Sequence, residues 1–231
     1  MKQNTKNYNF EVVFEDNHLI AVSKYAGILC QGDKTGDKPL VDEVKDFLKV
    51  KYNKPGQVFA GLIHRIDRPV SGLVLIAKTS KALARMNEQF KNRAVKKTYW
   101  AIVKNQPQSA SGTLKHYLAK NEKSNKSKAY KKAVDGALLA ELTYKVKKKL
   151  ATHYLLEVHP KTGRHHQIRV QLSSISCPIK GDLKYGSQRS NPDGSISLHA
   201  RKLEFIHPVS KEKMTLTAPA PKTAIWQACV K

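Results

Sequence analysis

Short segments that combine β-branched and aromatic residues, alternate apolar with polar, and close on turn residues recur along nearly the whole chain. A chain built this way is committed to a large sheet. The segments are Phe10–Glu15, His18–Ser23, Gly72–Lys78, Thr98–Lys104, Thr113–Ala119, Ala137–Lys147, His153–His159, Leu198–Phe205 and Lys213–Ala218. Asp16-Asn17 joins the first two as a hairpin turn. Only three segments carry helical spacing. Leu40–Tyr52 places Val41, Val44 and Leu48 on one stripe, and Ser80–Arg93 places Leu83, Met86 and Phe90 together behind a Ser80 cap. Arg164–Ile175 carries Ile168, Leu172 and Ile175 behind Thr162. The expected fold is therefore α+β: one large mixed, mostly antiparallel β-sheet with flanking helices. No internal repeat and no Pro/Gly/Ser linker divides the 231 residues, so a single domain over 1–231 is expected, with its core at about 10–219.

Lys and Arg total 42 against 18 Asp and Glu, a formal charge of +24 that concentrates polyanions, nucleic acid first among them. An anionic membrane surface is the main rival. No apolar run exceeds six residues even with Gly counted, against about 18 for a bilayer span. The opening MKQNTKNYNF is too polar for a secretory signal. Cys30, Cys177 and Cys229 show no paired spacing, which suits reduced thiols in a cytoplasmic protein without disulfides. Lys120–Lys132, with six Lys and one Glu, reads as a mobile basic loop or hairpin tip, either a solvated surface or an RNA contact. Arg is scarce, at 8 residues against 34 Lys, and half of the Arg fall in two short segments: Arg65 with Arg68, and Arg164 with Arg169. Planar, bidentate Arg marks designed phosphate or carboxylate contacts better than Lys does.

The first of these segments, Gly61–Gly72, packs His64, Arg65, Asp67 and Arg68 into five positions ahead of an apolar strand. A carboxylate among guanidiniums stays ionised. Asp67 can then serve as a nucleophile or a base, or as one half of an ion pair that pins the turn. In the second segment, Thr162-Gly163 opens a helix whose first turns hold Arg164, His165, His166, Gln167 and Arg169, where the helix N-terminus and two guanidiniums can face an anion. Arg164 and Arg169 are five apart and do not share a face. Arg164 suits a phosphate, while Arg169 borders the buried stripe and suits an internal carboxylate. A solvated helix start is the plain alternative. A third segment, Lys96-Lys97-Thr98-Tyr99-Trp100, enters a strand that turns Tyr99 and Trp100 to opposite faces. One of them leaves the core side and can stack on a base, for about 1 to 3 kcal/mol.

No Cys-x-x-Cys, HExxH, GxxxxGK[ST] or GxGxxG occurs, so no metal site and no cofactor are expected. In chain order, Phe14–Lys24 with Ala26-Gly27, His64–Asp67 with Ser71-Gly72, Lys97–Tyr99, Gly163–Arg169, and Pro178–Asp182 with Tyr185-Gly186 together resemble the RluA family of RNA pseudouridine synthases. The family's Lys-Pro-x-Gly stands here as Lys24-Tyr25-Ala26-Gly27, without its Pro, and Ile66 replaces the usual Leu. Only about nine residues precede the first strand, against the additional S4 RNA-binding domain of many relatives.

The resemblance implies the pseudouridine synthase fold and the isomerisation of a uridine in structured ribosomal or transfer RNA. No membrane and no small-molecule cofactor are implied, and a monomer is the natural expectation. It implies Asp67 as the carboxylate that attacks C6 of the base or C1′ of the ribose. Tyr99 would pack on the flipped base and help the last deprotonation, and Arg169 would pair with Asp67. Arg65 would fill the gap left by the flipped nucleotide, Arg68 and Arg164 would bind phosphate, and His64 and Lys97 would add RNA contacts. Two other classes compete. One is a non-catalytic RNA-binding or ribosome-assembly factor on the same fold; the other is a ribonuclease that pairs His64 with His165 as acid and base.

Overall fold

The structure is a computed structural model that describes residues 8–230. Residues 1–7, and with them most of the polar opening segment, lie outside the described residues, as does residue 231. The chain runs β1 (Phe10–Glu15), β2 (Leu19–Lys24), α1 (Leu40–Lys51), β3 (Gly61–Leu62), β4 (Ser71–Ala77), α2 (Ser80–Lys91), β5 (Lys96–Val103) and β6 (Ser111–Asn121). It continues through β7 (Lys126–Tyr130), β8 (Leu138–Lys149), β9 (Tyr154–Pro160), α3 (Gln167–Ser174), a short 3-10 turn (Leu183–Tyr185), β10 (Leu198–Ile206), β11 (Lys213–Thr217) and α4 (Ala224–Val230). All strands join one sheet in the order β1-β2-β4-β10-β5-β9-β8-β6-β7, with β3 paired to β4 and β11 to β10. Among the described residues every strand pairing is antiparallel except β4 with β10, so the sheet is mixed and mostly antiparallel with helices against it, as the strand-rich pattern implies.

Three elements escape the periodicity. β3 has two residues, β7 reads as Lys-rich and polar, and α4 is short and follows a Pro-rich stretch. Lys120–Lys132 forms the end of the β6–β7 hairpin, whose exposed turn holds Glu122–Asn125. The cap of α2 is Thr79, whose Oγ1 accepts from Ala82 N at 3.2 Å, one residue ahead of the expected Ser80. The third helix starts at Gln167, not Arg164, because His166 takes a left-handed φ of 52° that a helix cannot continue through. Thr162 does not cap it. Its hydroxyl instead donates to Gln167 Oε1 at 2.7 Å and accepts from Glu141 N, and Gln167 Oε1 also accepts Arg164 N–H. The expected cluster at a helix N-terminus is therefore a tight turn sealed by Gln167.

The main core packs α1 and α2 on the β1-β2-β4-β10 half of the sheet, with Leu19, Leu40, Leu48, Leu75, Ile76 and Met86 essentially inaccessible. On the opposite face, Trp226 and Cys229 of α4 cover Trp100, Ile102 and Leu155. A third cluster seats Val170 of α3 and Tyr185 on Leu118 and Ala140. All three cysteines are buried as free thiols.

The parallel pairing of β4 with β10 positions the site. Ala200 of β10 faces Gly72 on one side and Tyr99 on the other, so the loop preceding β4 and the start of β5 stand two strands apart, about 10 Å. Gly72 makes this possible. Its φ is +111°, and a Cβ there would lie within 2.9 Å of the backbone N, C and O of Ala200. Replacing Gly72 by Ala should therefore cost more than about 3 kcal/mol in a urea unfolding titration. At the sheet edge, burial pushes the Glu15 carboxyl up, but Lys51, Lys78 and Tyr52 together hold it down to about 2. A lowered folded value stabilises above the ordinary 4.5 and is lost as pH falls towards 2. Glu15→Gln should lose about 2 kcal/mol at pH 7 and flatten the acid limb of the stability curve between those values.

Candidate active site

Asp67 sits on the loop between β3 and β4, and that loop is held from several sides. Arg68 O accepts from Gly27 N at 2.8 Å and Lys24 Nζ at 3.2 Å, Pro69 O accepts from Ile196 N at 3.0 Å, and Ile66 O accepts from Cys30 Sγ at 3.4 Å. Lys24 is fully buried and also donates to Tyr25 O and Ile28 O. Its ammonium thereby fastens the turn that lacks a Pro, and burial lowers its pKa to about 8.

Arg169 reaches this loop from α3. Its Nε and Nη2 grip both oxygens of Asp182 at 2.7 and 2.9 Å, and its Nη1 donates to Asp67 Oδ2 at 2.9 Å. Arg169 and Asp182 are buried, with side chains 6% and 1% exposed, whereas Asp67 retains 30%. Burial works against the guanidinium's charge, and the two carboxylates outweigh it and raise its already high pKa. His166 Nε2 stands 3.6 Å from the same Oδ2. Both groups meet Oδ2, and Oδ1 accepts no hydrogen bond from a described residue.

Asp67 opens into a cavity of about 250 Å³ that His64, Arg65, Lys97, Tyr99, Arg164, His166 and Arg169 also line. That is below the range that holds a drug-sized ligand and suits one planar base. A larger cavity of about 580 Å³, bordered by Ser71, His199 and Trp226, lacks any such carboxylate–guanidinium pair. Tyr99 turns into the smaller cavity while Trp100 faces α4, as their alternation implies. Burial, then Asp67 and Cys30, pushes the Tyr99 phenol far above its usual value, so it holds its proton.

The remaining expected residues divide. Arg65 is exposed and forms no hydrogen bond or ion pair with another described residue. Lys97 extends over Gly163, and burial followed by Arg93 lowers its pKa. Arg164 Nε is tied to Leu139 O at 3.1 Å. Arg68 turns away from the cavity, donating to Gly27 O at 2.9 Å and pairing with Asp37 at 2.8 Å. It braces the loop. His64 Nε2 accepts the Leu75 N–H at 3.0 Å, its ring stacks on Phe90, and burial followed by Lys97 lowers its pKa to about 3. A neutral imidazole whose lone pair is already engaged can serve as neither acid nor base, which removes the His64–His165 ribonuclease pairing. Asp182, His166 and Tyr185 all fell in the quoted segments, but local reasoning gave none of them a part in holding Asp67. Asp182 did lie in a motif block, Pro178–Asp182, but nothing local marked it as the partner of Arg169. Among the described residues, no group of three or more His, Cys, Asp or Glu is placed to hold a metal, and no helix is long and apolar enough to cross a membrane.

Known proteins are similar to this chain in sequence and in fold. The RNA pseudouridylate synthase family model matches residues 18–174. The chain is 34% identical over 212 residues to ribosomal large subunit pseudouridine synthase C of Rickettsia prowazekii, covering 91% of this chain and 68% of that one. It is 30% identical over 220 residues to an RNA pseudouridine synthase of Synechocystis, covering 94% and 67%. It thus spans about two thirds of the length of these relatives. Human RNA pseudouridylate synthase domain containing 4 shares the fold, with a TM-score of 0.78 at 22% identity over 95% of this chain and 91% of that one. The matched span runs from β2 through α3 and takes in Asp67, Tyr99 and Arg169 together, and the chain belongs to the RNA pseudouridylate synthase family.

Proposed function

We propose that this chain isomerises a uridine of structured RNA to pseudouridine with Asp67 as the attacking carboxylate. The observation that carries this reading is a carboxylate at a base-sized cavity with Oδ2 held by Arg169 and Oδ1 left for chemistry. Oδ1 attacks C6 of the base or C1′ of the ribose. The N1–C1′ bond breaks, the base turns, C5 bonds to C1′, and the bond to Oδ1 breaks with its electron pair returning to the Asp67 carboxylate. The C5 hydrogen then leaves as a proton and N1 takes one up, so the atoms balance. Tyr99 packs on the base and, keeping its own proton, orients the C5 deprotonation without acting as a phenolate.

A target uridine must first leave its stack, at a few kcal/mol. Arg65, exposed at the cavity mouth, is suited to fill the gap, and Lys97 and Arg164 to receive the flanking phosphates. The exposed Lys123, Lys126 and Lys128 of the β6–β7 hairpin extend the basic surface. Relatives named for the ribosomal large subunit make ribosomal RNA the first substrate to test.

The protein and its Asp67→Asn variant are incubated with ribosomal RNA from cells lacking the protein, and pseudouridine is mapped by carbodiimide labelling and reverse-transcription stops. The parent should give new stops on intact RNA. Asp67→Asn should lose more than about a thousandfold in rate with RNA affinity retained; retained activity would remove Asp67 from this role, and an inactive parent that binds tightly would leave a non-catalytic binder. Changing Lys123, Lys126 and Lys128 to Gln should reduce the salt slope of binding by roughly 0.7 to 0.9 for each phosphate no longer neutralised, with product still forming at saturating RNA.

A further inference from the structure

His166 holds a left-handed backbone that a non-glycine residue adopts only when its surroundings impose it. Its Nδ1 lies 2.8 Å from the Tyr185 hydroxyl. That hydroxyl already accepts the backbone N–H of Ser127 at 2.8 Å, so its own hydrogen points to the imidazole. A neutral ring that accepts at Nδ1 carries its proton on Nε2, the atom 3.6 Å from Asp67 Oδ2. Burial, followed by the charges of Arg169 and His165, keeps the ring neutral, with its pKa lowered to about 2. Asp67 therefore meets an N–H dipole on this side and a full positive charge on the Arg169 side.

The chain of hydrogen bonds begins outside the cavity. Ser127 belongs to β7, in the Lys-rich hairpin. Its Oγ also contacts His165, at 2.9 Å to Nδ1 and 2.8 Å to the backbone O, and the His165 ring stacks on His166 with centroids 3.7 Å apart. Lys184, beside Tyr185, donates to Asn125 O in the hairpin turn. The hairpin thus reaches the imidazole by two routes, through Tyr185 and through His165.

We infer that His166 is a positioning residue for Asp67, and that the Ser127–Tyr185–His166 chain makes the Lys-rich hairpin part of the catalytic frame. This rests on the reading of Asp67 as the attacking carboxylate. At 3.6 Å the N–H is beyond hydrogen-bond length, and contacts of this kind shorten when the substrate closes the site. The donor then steadies Oδ2 and directs Oδ1 at the sugar or base.

Tyr185→Phe removes only the hydroxyl and keeps the ring that lies 5.1 Å from the Arg169 guanidinium. His166→Asn removes the ring while tolerating the left-handed backbone. Single-turnover rates at saturating RNA are measured for both variants, the double variant, the parent and Asp67→Asn, each normalised to the folded fraction from near-ultraviolet circular dichroism. Each single variant should slow turnover roughly fivefold or more, the scale of one missing hydrogen bond, with RNA affinity unchanged. The double variant should be no slower than His166→Asn alone, because both act through one chain. A parent-like rate in Tyr185→Phe, additive losses, or a loss of RNA affinity in place of rate would overturn the proposal. An inactive parent, or an active Asp67→Asn, would instead overturn the reading on which it rests.

Discussion

A buried guanidinium shared between two carboxylates is the interaction on which this structure depends. Removing Arg169 and Asp182 from water costs several kcal/mol per ion, and that cost is offset only by near-ideal geometry. The geometry is supplied from three distant parts of the chain: α3 carries Arg169, the segment before the 3-10 turn carries Asp182, and the β3–β4 loop carries Asp67. Asp182 takes both of its hydrogen bonds in a buried, two-pronged pairing, so it sets where the guanidinium lies. Asp67 receives the one remaining donor and keeps partial exposure. The arrangement separates a buried anchor from a partly exposed carboxylate, since breaking the Asp182 pairing would leave an uncompensated buried charge while Asp67 keeps its access to the cavity.

The sheet makes that pairing reproducible. Because Ala200 faces both Gly72 and Tyr99, the Asp67 loop and the Tyr99 strand are measured from one backbone position. Slipping β5 by one residue would turn Tyr99 to the α4 face and Trp100 into the cavity. Lys24 works from below, its three carbonyl contacts joining the β2 turn to the Asp67 loop. The ammonium replaces with hydrogen bonds the stiffness that a proline would give that turn.

Much of this was legible in the order of residues, and the limits of legibility are physical. Alternation and helical spacing marked the long elements because each reports burial of its own face. The opposite facing of Tyr99 and Trp100 follows from the two-residue period of a strand. An internal carboxylate for Arg169 followed from its place beside an apolar stripe, but which carboxylate did not: Asp182 is 13 residues away in a segment with no periodicity. Arg68 looked like Arg65 by composition, and only the fold sets Gly27 and Asp37 against it. The left-handed His166 left no local mark, since Gln167 enforces it by sealing the preceding turn through Thr162 and Arg164. β7 and α4 were invisible for a related reason, their apolar content being too slight to show a period before the partner surface is known.

The distribution of charge divides affinity from chemistry. Burial lowers the pKa of His64 to about 3 and of His166 to about 2, so neither imidazole adds positive charge near Asp67 at neutral pH. Arg169 is matched by two carboxylates and contributes no net attraction. The cations that can draw in a polyanion are instead peripheral ones, among them Arg65 at the cavity and the lysines of the β6–β7 hairpin, which are exposed to water. Solvent and salt screen those charges within about 10 Å, whereas the buried set is screened much less. A long basic surface can therefore hold RNA loosely enough to search it, while the carboxylate at the centre is held by a buried guanidinium that salt screens little. The two systems meet where the hairpin strand β7 hydrogen-bonds to Tyr185 and His165, which makes that junction the place where grip on the substrate can influence Asp67.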